Sequence, residues 1–170
     1  TKIDAIQEVL TGTGIEVIED AAQAVGAKFN GKRVGSFGIA AMFSLHPLKN
    51  LGVLGDGGVI TTDSEEIYAK IIKLRNHGLI DRDHCEIWGY NSRLDELQAA
   101  FLNIKLKKLD DDNRTKISLA KMYLESIDNS KIRLPKFNDN NDHVFHQFVI
   151  RVEDRNHFQS YLNSNHVETL

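Results

Sequence analysis

One cysteine, Cys85, stands in 170 residues, so no disulfide can close within the chain. That scarcity predicts a reducing, cytoplasmic setting. No apolar run approaches the roughly 20 residues that cross a bilayer, and Thr1 to Leu10 is amphipathic, without the apolar stretch of a signal peptide. Excess positive charge is also missing. The net charge is −3, which excludes an overall field that recruits nucleic acid or an acidic membrane. The densest basic run, Lys105 to Lys108, is followed at once by Asp110, Asp111 and Asp112, and reads as a solvated helix face and its end. His84, Cys85 and Glu86 lack the second cysteine or spaced histidine pair that a metal site needs. There is no internal repeat and no low-complexity segment. The chain starts on Thr1 rather than Met and ends on Val167-Glu168-Thr169-Leu170, which reads as a piece of a longer protein.

What remains is an ordinary globular composition, 41% hydrophobic and 26% charged. Its length suits one domain or one and a fraction. Ile3, Ile6, Val9 and Leu10 recur at helical spacing over residues 3 to 10. Ile15 to Ile18 is a short β-branched run, read as a buried parallel strand. Asn30-Gly31 centres a hairpin over 28 to 34. Apolar runs follow at 40 to 45 and 58 to 62. Asp63 or Ser64 caps a helix built on Ile67, Ile71, Ile72 and Leu74. Residues 78 to 92 read as irregular. A helix follows from Ser92 through Leu94 to Leu106, with Asp95 and Glu96 at its start, and then a second over about 111 to 127. Residues 136 to 143 form a polar turn, His143 to Val152 alternates as a strand, and 154 to 164 form a last helix. Strands alternating with helices at the front predict an α/β fold with a parallel sheet.

The informative residues lie between Asp20 and Gly58. Asp20 ends a predicted strand. Lys49 sits in the proline-bearing turn Ser44-Leu45-His46-Pro47-Leu48-Lys49-Asn50, and Gly52-Val53-Leu54-Gly55-Asp56-Gly57-Gly58 follows. In open α/β sheets, ligands gather at the carboxyl ends of strands, and both Asp20 and the 44 to 49 turn stand there. Each residue also has an ordinary reading. A Lys in a glycine-rich turn is usually a surface Lys. Asp20, or the pair Asn91-Ser92, can simply cap a helix, and Ser44 can be a plain turn or strand residue.

Four blocks go further together than any does alone. They are Val17 to Ala24 (VIEDAAQA), Phe43 to Gly52 (FSLHPLKNLG), Gly55 to Gly58 (GDGG) and Gly89 to Ala100 (GYNSRLDELQAA). In this order and spacing the chain resembles the DegT/DnrJ/EryC1/StrS family, fold-type I enzymes that use pyridoxal 5'-phosphate (PLP). The resemblance runs from residue 15 to about 108 and more loosely to 170. It implies part of a large PLP-binding domain over 1–112, a mostly parallel sheet with helices on both faces, and part of a small α+β C-terminal domain over 113–170.

The resemblance also implies roles. Lys49 would bind the cofactor covalently and move protons. Asp20 would pair with the pyridine nitrogen, Gln23 would lie near the ring and its phenolic oxygen, and Ser44 would donate to the phosphate. Asn91 would reach the cofactor phosphate of a neighbouring subunit in a homodimer. His46 sits near the Lys turn with no role assigned. The implied reaction moves an amino group from Glu or Gln to a nucleotide-linked keto sugar, and Leu54-Gly55-Asp56-Gly57-Gly58 resembles members that aminate C3 rather than C4. Relatives with His at the lysine position are sugar dehydratases, and Lys49 disfavours that branch. A truncated, non-catalytic relative that binds a partner is the other reading. Full-length relatives carry segments before and after this stretch, so the fragment alone is expected to be inactive.

Overall fold

A computed structural model of the chain describes residues 2–137 and 143–170. Most of the expected polar turn, residues 138–142, lies outside the described residues.

The first helix, α1 (Ile3–Leu10), forms on the expected apolar spacing. Gln7 Nε2 ties it to the sheet region by donating to the Phe37 carbonyl at 2.8 Å. Strand β1 covers Ile18–Asp20, later than the 15 to 18 run suggests. The reason is its partner. Strand β4 (Ala40–Ser44) begins at Ala40, and the ladder therefore starts at Ile18 opposite Ala40. Before that point only the Ile39 N–H reaches the Val17 carbonyl, at 2.8 Å.

Between β1 and β4 lies the predicted hairpin, β2 (Lys28–Phe29) and β3 (Lys32–Arg33). Asn30 (φ 50°) and Gly31 (φ 80°) both take left-handed backbone, as a tight primed turn requires. Strand β5 (Gly58–Thr61) completes a sheet of order β1-β4-β5. The β1–β4 pair is parallel, as expected, and β4–β5 is antiparallel.

Helix α2 (Glu65–Arg75) starts where Ser64 Oγ accepts the Ile67 N–H. Its acids, Glu65 and Glu66, lie in the first turn and its bases, Lys73 and Arg75, in the last, in accord with the helix dipole. Helix α3 (Glu96–Leu106) starts later than Ser92, whose N–H instead donates to the Arg75 carbonyl. Helix α4 (Leu109–Ser126) takes Asp110, Asp111 and Asp112 into its first turn, so that acidic run begins a helix rather than ending one. The helix continues unbroken across residue 112. The last helix, α5, covers Arg155–Ser164 and is capped by Asp154 Oδ1, which accepts the His157 N–H.

The expected strand from His143 to Val152 does not form. Among the described residues its one β-bridge is Arg133 to Arg151. Phe145 at φ 40° breaks the extended backbone that the alternation suggested. The central buried cluster joins Leu45, Leu51 and Val53, on the segment after β4, to Leu109 of α4, with Val25 and Leu102 packed against it. The turn that carries Lys49 is therefore bracketed by core residues.

Candidate functional site

Side chains alternate across a strand, so Asp20, Met42 and Ser44 lie on one face of the sheet and Glu19, Ala41 and Phe43 on the other. Glu19 is structural. Its Oε1 accepts the N–H groups of Phe37 and Gly38 at 2.6 and 2.9 Å, and Oε2 accepts that of Gly35 at 2.8 Å. This clamp fixes the loop that leads into β4 beside β1. Asp20 faces the other way, at the carboxyl end of β1, and is exposed. Its Oδ1 accepts the Ala22 N–H at 3.1 Å, while Oδ2 has no hydrogen bond among the described residues. The chain stays parallel just past the strand, where the Ala21 N–H donates to the Met42 carbonyl at 2.9 Å.

Ser44 closes β4, and its Oγ accepts the His46 N–H at 3.3 Å. The turn that follows is tightly specified. Lys49 N–H donates to the His46 carbonyl, the Leu45 N–H to Gly57 and the Val53 N–H to Leu45, each at 2.8 Å. His46 Nδ1 accepts the Leu48 N–H at 3.2 Å, so the histidine has a turn-forming contact of its own. Gly52 lets the chain fold back on itself, for a Cβ there would lie 2.6 Å from the carbonyl oxygens of His46 and Pro47.

The turn is also tied to distant segments. Asn50 Nδ2 donates to Asn113 Oδ1 at 2.7 Å and to the Val144 carbonyl at 2.8 Å, and Asn113 Nδ2 donates onward to the Val25 carbonyl at 3.1 Å. Lys49 is half-buried, and its Nζ lies 3.5 Å from His146 Nε2. The His146 ring is held below the usual histidine range, first by burial and then by the charges of Lys49, Lys116 and His46.

The fold thus gathers three of the five expected site residues at the carboxyl end of a parallel strand pair. Asp20 and Ser44 share a face, and Lys49 stands on the turn leaving β4. Gln23 follows Asp20 by three residues and is exposed, with no hydrogen bond among the described residues. Asn91 lies on a different segment. It bridges to Asn76 beyond the end of α2, and among the described residues no hydrogen bond links it to the Lys49 turn. Sequence reasoning missed His146, Asn50 and Asn113. The partners lie 63 to 97 residues apart in the chain, a separation that no local pattern encodes. Among the described residues no group of acids, histidines and cysteine could hold a metal ion, and no helix is long and apolar enough to cross a membrane.

An amine on a rigid turn, a carboxylate with a free oxygen and a hydroxyl, all at one strand-end edge, suit a flat, phosphorylated aldehyde cofactor. They stand on an α/β frame in which a parallel strand pair presents them together. The chain belongs to the DegT/DnrJ/EryC1/StrS aminotransferase family, whose model matches residues 1–170. It is 50% identical over 168 residues to dTDP-3-amino-3,6-dideoxy-alpha-D-galactopyranose transaminase of Aneurinibacillus thermoaerophilus, covering 99% of this chain and 46% of that protein. The structure of S. venezuelae DesV in complex with a ketimine intermediate superposes with a TM-score of 0.95 at 40% identity, covering 100% of this chain and 46% of that one. NtdA from Bacillus subtilis with bound cofactor PMP superposes with a TM-score of 0.86 at 32% identity, over 97% of this chain and 39% of that one. The chain therefore spans about half the length of the relatives it matches.

Proposed function

We propose that this chain belongs to a PLP-dependent aminotransferase that transfers an amino group from Glu or Gln to a nucleotide-linked keto sugar, at C3 rather than C4. The observation that carries the reading is the common edge formed by Asp20, Ser44 and the Lys49 turn, in a chain half identical to a transaminase whose name specifies a 3-amino sugar. The solved relative with bound PMP supports the cofactor.

PLP, when bound, supplies an electron-accepting ring that stabilises negative charge at the substrate carbon. The chain's own residues then have distinct tasks. Lys49 Nζ would hold the cofactor and, when free, would carry the proton. Asp20 would hold the ring nitrogen and keep it protonated. Ser44 would donate to the phosphate. Gln23 would lie near the ring and its phenolic oxygen. Asn91 would serve the phosphate of the neighbouring subunit in a homodimer. The large and small units, 1–112 and 113–170, are joined through the continuous helix α4. The setting is cytoplasmic, with neither nucleic acid nor membrane as partner.

The reading is tested on the full-length protein with PLP, glutamate and a nucleotide-linked 3-keto sugar. The expected product carries a new amine at C3, seen by NMR. An amine at C4, or a sugar that has lost a hydroxyl instead, overturns the assignment. If added PLP leaves the absorbance spectrum unchanged, the non-catalytic reading replaces it.

A further inference from the structure

The His146 imidazole is placed against Lys49 by a built arrangement. The residue next to the lysine, Asn50, donates to the Val144 carbonyl at 2.8 Å, which ties the Lys49 turn to the segment that carries His146. Val144 and Phe145 are only 4% and 7% exposed. Phe145 takes φ 40°, a conformation that a bulky side chain adopts only when its surroundings impose it, and its N–H donates to His143 Nδ1 at 2.9 Å. On the ring itself, Nε2 lies 3.5 Å from Lys49 Nζ. Nδ1 is buried and has no hydrogen bond among the described residues.

A half-buried imidazole whose Nδ1 is buried without a partner, set among cationic side chains, is costly to charge. The titratable groups that face it are themselves cationic or neutral. Lys49 and His46 come from the turn after β4, and Lys116 comes from α4. Burial and these neighbours together keep the ring uncharged around neutral pH. An uncharged ring is a hydrogen-bond partner for the lysine in either protonation state, whereas a charged one repels its ammonium form.

We propose that His146 is a positioning residue, whose neutral imidazole holds the Lys49 amine, when that amine is free, in the place from which it reaches the cofactor's aldehyde. This rests on the reading of Lys49 as the cofactor's lysine. The contact lies between the turn after β4 and the segment beyond α4, so it couples the two proposed units of the chain at the reacting nitrogen.

The test uses full-length protein freed of cofactor. Pyridoxal 5'-phosphate is added, and the rate of appearance of the lysine-bound absorbance band is followed across pH. His146→Phe removes the partner but keeps a flat ring. His146→Gln offers an amide in its place. The Phe variant is expected to capture cofactor about tenfold more slowly near neutral pH, the size that one lost hydrogen bond implies. The Gln variant is expected to recover most of that rate. The ratio of wild-type to Gln-variant rate should be flat at high pH and fall as pH drops through the His146 titration, because only the imidazole gains a repelling charge. A purely structural role would leave that ratio flat. Equal rates for wild type and Phe, or a ratio independent of pH, overturn the proposal. If the Phe variant does not fold, the Gln comparison decides alone. Lys49→Ala separates the two levels. If it still shows the band, the lysine assignment fails and this proposal falls with it. If it is silent while both His146 variants match wild type, only the positioning role fails.

Discussion

Gly52 stands where a side chain has no room, and the atoms that exclude one cannot swing aside. They are the carbonyl oxygens of His46 and Pro47, the backbone of the turn that presents Lys49. Gly52→Ala is expected to cost about 1–3 kcal/mol in urea unfolding and to weaken PLP capture as well, since relief must come from moving that turn. Asn113 is 5% exposed and bonds both Asn50 and the Val25 carbonyl. Asn113→Ala takes the donor from the Val25 carbonyl and leaves Asn50 with the Val144 carbonyl alone, and should cost about 1–3 kcal/mol by the same measurement. The Arg33–Asp110 pair, with both side chains more than half exposed, is a contrast. Asp110→Asn should change stability by less than about 1 kcal/mol, and less still in high salt.

Acid acts through the two histidines of the Val144 segment. His143 and His146 are both lowered, chiefly by burial, so below the ordinary histidine value the unfolded chain binds more protons than the folded one. Stability from these groups is complete above about pH 6.5 and declines as pH falls from there toward the folded values. Unfolding midpoints measured across pH 5 to 8 check the sign (a His146→Gln variant should show a shallower acid loss). At this scale the placement of Asp20, Ser44 and the Lys49 turn at strand ends was legible, because each sits inside a local block of residues. His146 was not, because its relation to Lys49 is created by packing across 97 residues.

Elements record which local signals suffice. Helix α2 followed from its apolar period and from Ser64, whose Oγ accepts the Ile67 N–H. Ser64→Ala should lower stability by about 1 kcal/mol, read from thermal or urea unfolding, with no change in where PLP attaches. The hairpin followed from Asn30-Gly31, whose backbone needs are local. Strands are different, because a strand exists only with a partner. β1 shifted to Ile18–Asp20 since β4 begins at Ala40. The alternation over 143 to 152 produced no strand, since only Arg151 finds a paired residue, Arg133, and Phe145 turns the backbone aside. Periodicity describes which side chains could be buried together. It does not say whether a neighbouring strand is present to receive the N–H groups.

On the scale of the whole chain, surface area is the informative quantity. A compact protein of 19.2 kDa exposes about 8,400 Å², whereas this chain exposes 13048 Å². Part of the excess is apolar and lies on the face of the sheet that carries Asp20 and Ser44, where Ile18, Met42 and Ile60 are 61%, 46% and 53% exposed. The 170 residues expressed alone are therefore expected to melt broadly, with an enthalpy well below the ~120 kcal/mol of a cooperative domain this long. A sharp calorimetric transition of that full size would contradict this. The fold class was legible because the four blocks carry it. The size of the exposed surface was not, because composition is the same whether or not a face finds a neighbour.

Site mapping of the bound cofactor decides whether Lys49 is its point of attachment. The full-length protein is mixed with pyridoxal 5'-phosphate, reduced with borohydride, digested and read by mass spectrometry. One modified residue is expected, Lys49, with loss of that label in Lys49→Ala. A label on another lysine, or spread over many, would contradict it.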